Sequence, residues 1–273
     1  MHASDCFSAF SKALSGHPLE EHRAIFKELL HHHGLNANQP WSEIALSSEI
    51  TESIDKSLLE LNTRKPLQYV LGIAPFYNLD LKVNEHTLIP RPETEELVYI
   101  ILETNKEEGL RILDIGTGSG CIPVSILSQR PTWAGYGIDI SNHALSVANL
   151  NAEKYNLQDQ LEFITFDILN QSYNLSNIDL LVSNPPYIAN SEKSDMSDTV
   201  LKFEPKEALF TMSDDPLIFY RRIAQEMSSQ KFSGKAYFEI NPLYADEICN
   251  IFSAYSPRVV KDMQQKNRFL IIN

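Results

Sequence analysis

The sequence predicts an α/β protein: a parallel sheet covered by helices on both faces, preceded by a small helical bundle and a β-hairpin linker. Three observations carry this expectation. Residues up to about Leu71 show helical spacing of apolar side chains and no strand alternation. From Gly72 to Ile89 the pattern changes to short alternating runs. Beyond Pro92, apolar runs of strand length alternate with stretches of helix length, as they do when successive βα units feed one parallel sheet. The expected boundaries are 1–71 for a helical N-terminal domain, 72–89 for the hairpin and 90–273 for the α/β domain.

In the bundle, Phe7, Phe10 and Leu14 predict a helix over 5–14, and Ile25, Phe26, Leu29 and Leu30 predict one over 20–30. Gly16 and Gly34 each follow such a stretch, where helices end. A third helix is expected over 51–61, with Thr51 as its N-cap. The run His31, His32, His33 does not predict a metal site. Adjacent helical side chains point in different directions, so three in a row cannot converge on one ion, and polar residues in a last turn explain them.

Phe76, Tyr77, Leu79, Leu81 and Val83 predict the two short strands of the hairpin, with Asn78 and Asn84 at turns. The α/β domain then reads as a helix over 93–102, a strand over 110–115, a helix over 121–129, a strand over 134–140 and a helix over 144–155. Strands over 161–166 and 178–183, a helix over 216–227, a strand over 234–240 and a helix over 244–254 follow. The closing pair, 258–262 and 268–272, suits an antiparallel edge.

Charge and cysteine content narrow the function. The net charge of −13 is the opposite of what phosphate neutralisation needs, and no local basic patch offsets it, so direct nucleic-acid binding is not expected. An acidic enzyme acting on a small molecule or a basic partner fits better. Cys6, Cys121 and Cys249 are far apart and form no C-x-x-C pair, which argues against zinc and a disulfide framework. Cys121 opens a helix and could be a reactive thiol, but its setting before Ile122 favours a packing role. No apolar run is long enough to span a membrane and the N-terminus has no basic-then-apolar pattern, so a soluble cytoplasmic protein is expected.

The chemistry gathers at strand ends, where open α/β sheets bind ligands. DIGTGSG follows the first strand of the domain; its glycines, Gly116, Gly118 and Gly120, with Thr117 and Ser119 between them, allow a sharp turn and close backbone approach. Asp139 ends the next strand, placed to accept both hydroxyls of a ribose; the pair marks a nucleoside site, of NAD or S-adenosylmethionine type. Asp167 ends the third, where it could accept from an adenine amine with Ile168 against the ring. The fourth ends in SNPPYI, because two prolines cannot continue a ladder. Beside S-adenosylmethionine such a turn has a use. An amide nitrogen has a delocalised lone pair and needs its N–H groups held and polarised, and the Asn184 side-chain oxygen and the Pro185 backbone oxygen are two acceptors on a rigid turn. Pro186 adds rigidity, and Tyr187 offers a flat wall to a planar amide.

GTGSG, DIS at Asp139 to Ser141 and NPPYI, with RKPLQYVLG starting at Arg64 and LIPRPETEELV starting at Leu88, resemble the HemK/PrmC family of peptide chain release factor glutamine methyltransferases along nearly the whole chain. The resemblance implies a Rossmann-like class I S-adenosylmethionine-dependent methyltransferase domain behind a hairpin and a helical domain that recognises the substrate. It also implies methylation of the glutamine side-chain amide in the Gly-Gly-Gln loop of release factors, which makes those proteins the expected partner. By position, Gly116, Thr117, Gly118, Ser119, Gly120, Asp139, Asp167 and Ile168 would line the cofactor together with Asn184, and Asn184, Pro185, Pro186 and Tyr187 would hold the glutamine. Arg91, Glu93 and Thr94 match the family's PRPETE segment and also read as a plain helix start. The sequence departs from the family after Leu209, where FTMSDDPL replaces a glycine-rich segment, and at Glu239, where EINPLY replaces EIGxxQ; both are expected to lie outside the chemistry. Two alternatives share the motifs: glutamine methylation of a ribosomal protein, and methylation of an adenine amino group in nucleic acid.

Overall fold

A computed structural model describes residues 1–189, 192–193, 196–211 and 213–273. The chain divides into two compact units, Met1–Ile73 and Ala74–Asn273. The first holds helices α1 (Ala3–Ala13), α2 (Leu19–His32), α3 (Ser48–Leu61) and α4 (Leu67–Leu71). Phe10, Phe26, Leu29, Leu30, Ile54 and Leu61 are buried at its centre, and the Phe7 ring meets Trp41 edge-on at 5.0 Å. The N-cap of α3 is Ser47, whose Oγ accepts from the Ile50 N–H at 3.2 Å, and not the expected Thr51. Thr51 lies one turn inside, where its hydroxyl donates to the Ser47 carbonyl. A β-branched hydroxyl residue imitates a cap in sequence, but the serine that starts the helix satisfies its free N–H groups.

Strands β1 (Ile73–Phe76) and β2 (Leu79–Lys82) form the hairpin. Tyr77 and Asn78 have φ of 47° and 62°, as a two-residue turn matched to strand twist requires. Phe76 and Leu81 enter a core of the second unit, and Asn151 clamps the second strand by accepting from the Lys82 N–H at 2.7 Å.

The second unit continues with α5 (Pro92–Thr104), β3 (Arg111–Ile115), α6 (Cys121–Gln129), β4 (Ala134–Asp139), α7 (Asn142–Lys154), β5 (Leu161–Thr165) and β6 (Leu180–Ser183). Short helices α8 (Asp198–Phe203) and α9 (Lys206–Leu209) precede α10 (Ile218–Ser229), β7 (Lys235–Glu239), α11 (Ala245–Ile251), β8 (Arg258–Lys261) and β9 (Asn267–Ile272). The seven-stranded sheet has the order β5-β4-β3-β6-β7-β9-β8. Its first five strands are parallel, and β9 joins β7 antiparallel. Alternate residues feed opposite cores. Ile112, Leu180 and Val182 pack with α5 and α6, whereas Leu113 and Leu181 pack with α10 and α11. The order reverses between β3 and β6, which is where such sheets open a binding crevice.

The sequence reading has no counterpart to α8 and α9. At six and four residues they are too short to show a 3.6-residue period.

Candidate active site

The carboxyl ends of β3, β4, β5 and β6 wall a cavity of about 340 Å³, with Gly116, Gly118, Asp139, Asp167, Ile168, Asn184 and Pro186 on its surface. Four strand ends separated by many residues in sequence therefore share one space. The Ser183 hydroxyl donates to the Ile115 carbonyl at 2.7 Å, tying the end of β6 to the start of the glycine turn.

Gly116 and Gly118 have φ of 75° and 56°, in the left-handed region that side chains other than glycine enter at a cost. Thr117, Ser119 and Gly120 are not on the cavity wall. Thr117 and Ser119 are buried beneath the turn, and a Cβ on Gly120 would lie 3.0 Å from Phe163 and 3.2 Å from Ala148. Their part is to shape the loop. Asn151 supports it from behind, its amide donating to the Ser119 carbonyl at 2.9 Å and to that of Lys82 at 3.0 Å.

The Asp139 carboxylate is built into the same turn. Its Oδ2 accepts from the Gly118 N–H at 2.9 Å and its Oδ1 from the Ser141 N–H at 2.9 Å. Burial pushes its pKa up, with those two backbone bonds acting against the rise. Asp167 accepts from the Leu169 N–H and from Asn170 Nδ2, at 3.0 and 2.7 Å. It is thus an Asp turn and a cavity residue at once. Arg222 holds this turn from below by donating to the Ile168 and Gln171 carbonyls. Two aromatic rings absent from the sequence reading, Phe166 and Phe219, also line the cavity near Ile168.

A second cavity of about 210 Å³ lies against the first. Leu88, Asn184, Pro186 and Ala208 line both, while Pro185, Tyr187, Arg91 and Glu239 line the second alone. The prolines end β6 and turn the chain between the two spaces. The Ile188 N–H then donates to the Leu209 carbonyl at 3.3 Å, which sets the far wall.

Beneath the turn runs a chain of hydrogen bonds. Asn184 Nδ2 donates to Thr94 Oγ1 at 3.2 Å, and Thr94 Oγ1 donates to Glu239 Oε2 at 2.7 Å. The Tyr187 hydroxyl donates to Glu239 Oε1 at 3.4 Å. Glu239 and Thr94 are buried, so both depend on these partners. Burial raises the Glu239 carboxyl pKa, while the Thr94 hydroxyl and the nearby Arg268 guanidinium favour the ionised form. Burial likewise raises the Tyr187 phenol, which keeps its proton.

Glu239 corrects an expectation. The segment it opens was expected to lie outside the chemistry, yet it stands under the NPPY turn. The signal was a lone carboxylate closing the apolar strand run Ala236 to Phe238, the fifth parallel strand end in order. Thr94 faces Asn184, and Arg91 pairs with buried Glu204 at 2.6 Å, so two residues of the helix start have partners in the site. Glu204 Oε2 also accepts from the Ile89 N–H at 3.3 Å, which anchors the strip holding Leu88. Burial pushes the Cys121 thiol up to about 12, which holds it as the thiol and fits a packing role.

The lining tests which nucleoside fits. Asp139, Asp167 and Glu207 face the first cavity, with no lysine or arginine among its described lining residues. Among the described residues, neither oxygen of fully buried Asp114, under the glycine turn, has a hydrogen-bond partner; the Thr117 hydroxyl is near but outside bonding geometry. The three carboxylates of the lining suit a ligand carrying positive charge, as S-adenosylmethionine does with its sulfonium and ammonium groups, and oppose a pyrophosphate. The residues therefore fit S-adenosylmethionine better than NAD.

Residues 94–209 match the family model described as the methyltransferase small domain. Among solved structures, the hMettl16 catalytic domain in complex with a MAT2A 3'UTR hairpin aligns with a TM-score of 0.53 at 15% identity, covering 87% of this chain and 86% of that one. That likeness is one of fold. The release factor glutamine methyltransferase of Flavobacterium psychrophilum is 40% identical over 225 residues, which span 79% of this chain and 78% of that protein. The release factor glutamine methyltransferase of Streptococcus pneumoniae is 41% identical over 240 residues, 84% of each chain. At that identity and coverage, this chain belongs to the release factor glutamine methyltransferase family.

Proposed function

We propose that the chain methylates the side-chain amide nitrogen of the glutamine in the Gly-Gly-Gln motif of peptide chain release factors, using S-adenosylmethionine. The observation that carries this reading is the shared wall: Asn184 and Pro186 border both cavities, so a group held in the smaller one faces a ligand in the larger one. When bound, S-adenosylmethionine supplies a sulfonium methyl group as the electrophile.

The chain's own residues then have separate tasks. Asp139 receives ribose hydroxyls on lone pairs left by Gly118 and Ser141, and Asp167 with Ile168, Phe166 and Phe219 forms the base pocket. Asn184 Oδ1 and the Pro185 carbonyl accept from the two N–H groups of the glutamine amide, and Tyr187 packs beside its plane. Holding both N–H groups orients the nitrogen and stabilises positive charge growing on it. The helical N-terminal unit is assigned to recognition of the release factor.

The test is transfer of a labelled methyl group from S-adenosylmethionine to a purified release factor. Label on the native factor and none on its Gln→Glu variant in the Gly-Gly-Gln motif supports the reading. Equal labelling of both proteins, or label on neither, contradicts it.

A further inference from the structure

We propose that Glu239 is a positioning residue that sets the direction of the hydrogen-bond chain through Thr94, so that Asn184 turns its amide oxygen and not its amide nitrogen toward the substrate. This rests on the functional reading above and adds a specificity device to it.

A side-chain amide has two nearly isosteric ends, and packing alone does not tell them apart. A threonine hydroxyl has one proton. In this chain that proton goes to Glu239 Oε2 at 2.7 Å, so toward Asn184 the hydroxyl can only accept. Nδ2 of Asn184 supplies the donor at 3.2 Å, which directs Oδ1 away from Thr94. An ionised carboxylate is an acceptor only, and the chain cannot run backwards while it stays ionised. Tyr187 donates to the other carboxylate oxygen, so one buried group orients both ends of the NPPY turn. Burial and the charge of Glu93 raise the Glu239 pKa while Thr94, Arg268 and Tyr187 oppose the rise, and the polarity of the chain belongs to the ionised carboxylate.

The functional meaning lies in which amino acid the site accepts. With Oδ1 outward, the site offers an acceptor and matches the NH₂ of glutamine. With Nδ2 outward, it would offer a donor and match the carboxylate of glutamate. A site with its polarity set this way rejects the wrong group by leaving like poles face to face.

Glu239→Gln is the decisive variant. It keeps size and shape, but its own amide can donate to Thr94, which then donates to Asn184 and turns that amide over. Thr94→Val removes the hydroxyl and Thr94→Ser restores it. Two quantities are measured on the full chain: kcat with the native release factor, and the ratio of Kd values for the native factor and its Gln→Glu variant without S-adenosylmethionine. We expect Glu239→Gln and Thr94→Val to lower kcat by about tenfold or more, with S-adenosylmethionine affinity within about twofold of the wild type. We expect the glutamine preference in Kd to shrink in both, and Thr94→Ser to recover most of each loss. Unchanged kcat and an unchanged Kd ratio in Glu239→Gln overturn the inference. So does equal damage from Thr94→Ser and Thr94→Val, which marks a packing role. A wild-type chain that neither binds nor methylates the native factor overturns the functional reading instead, so the two failures are distinguishable.

Discussion

The Gly118 N–H donates to Asp139 Oδ2 at 2.9 Å across the ends of two neighbouring parallel strands. The residue proposed to receive the ribose thus also holds the glycine turn on the cavity wall. Asp139→Ala should therefore lose more than a ribose contact. Replacing a carboxylate that makes charge-assisted bonds removes ~1.5–3 kcal/mol, and we expect S-adenosylmethionine to bind roughly 10- to 150-fold more weakly. Titration calorimetry measures this directly, and affinity within twofold of the wild type would show that Asp139 is not at the ribose.

The glycines of the turn should separate binding from stability. At Gly118 an added Cβ meets open space, so Gly118→Ala carries only the strain of φ at 56°, about 1–2 kcal/mol. At Gly120 the Cβ also presses on Phe163 at 3.0 Å and Ala148 at 3.2 Å. Thermal unfolding should show the larger fall in Tm for Gly120→Ala, while cofactor affinity should suffer more in Gly118→Ala, which faces the cavity. The reverse order would place the ligand elsewhere on the turn.

Asp114 should impose a pH dependence on stability. Burial pushes its carboxyl from 3.8 up to about 7. Between about pH 4 and pH 7 the unfolded chain releases this proton while the folded chain keeps it, so stability falls as pH rises through that window and levels off above it. The full contribution is on the order of 4 kcal/mol. Asp114→Asn cannot ionise, so cofactor-free protein carrying it should lose this slope and gain on the wild type at pH 8 relative to pH 4. Denaturant unfolding at the two values reads the difference, and parallel profiles would show that Asp114 is not buried as an unpaired acid.

The architecture of the α/β unit was legible because each strand and helix carried its own period. Helix α6 begins and ends where its pattern does, and the four strand ends on the cavity each displayed a distinct residue type. What stayed hidden was long-range pairing. Nothing local shows that Thr94 and Glu239, 145 residues apart, meet under Asn184, or that Arg91 reaches Glu204. Thr94 reads as a first-turn helix residue and Glu239 as the end of a strand, and only the sheet order brings them together. The burial of the Thr117 and Ser119 side chains was not legible either, because a glycine turn exposes its backbone and hides the side chains between glycines.

The Arg91 and Glu204 pair should be structural support for the second cavity. Glu204 is buried and also holds the Ile89 N–H, so Glu204→Ala leaves a guanidinium and an amide without their acceptor. Because Arg91 is partly solvated, the cost should be about 1–3 kcal/mol, below that of a fully buried pair. Chemical denaturation gives the loss. A release factor KM that rises with S-adenosylmethionine affinity retained would locate the damage in the smaller cavity, and an unchanged KM would remove this strip from substrate binding.

The amide nitrogen proposed to sit at Asn184 is that of the Gly-Gly-Gln glutamine. Incubating the chain with S-adenosylmethionine and a purified release factor, then sequencing the Gly-Gly-Gln peptide by mass spectrometry, tests it most directly. That glutamine should gain one CH₂, and should stay unmodified with Asn184→Ala although the variant still binds S-adenosylmethionine. An unmodified glutamine, or a methyl group found on another residue of the factor, would contradict it.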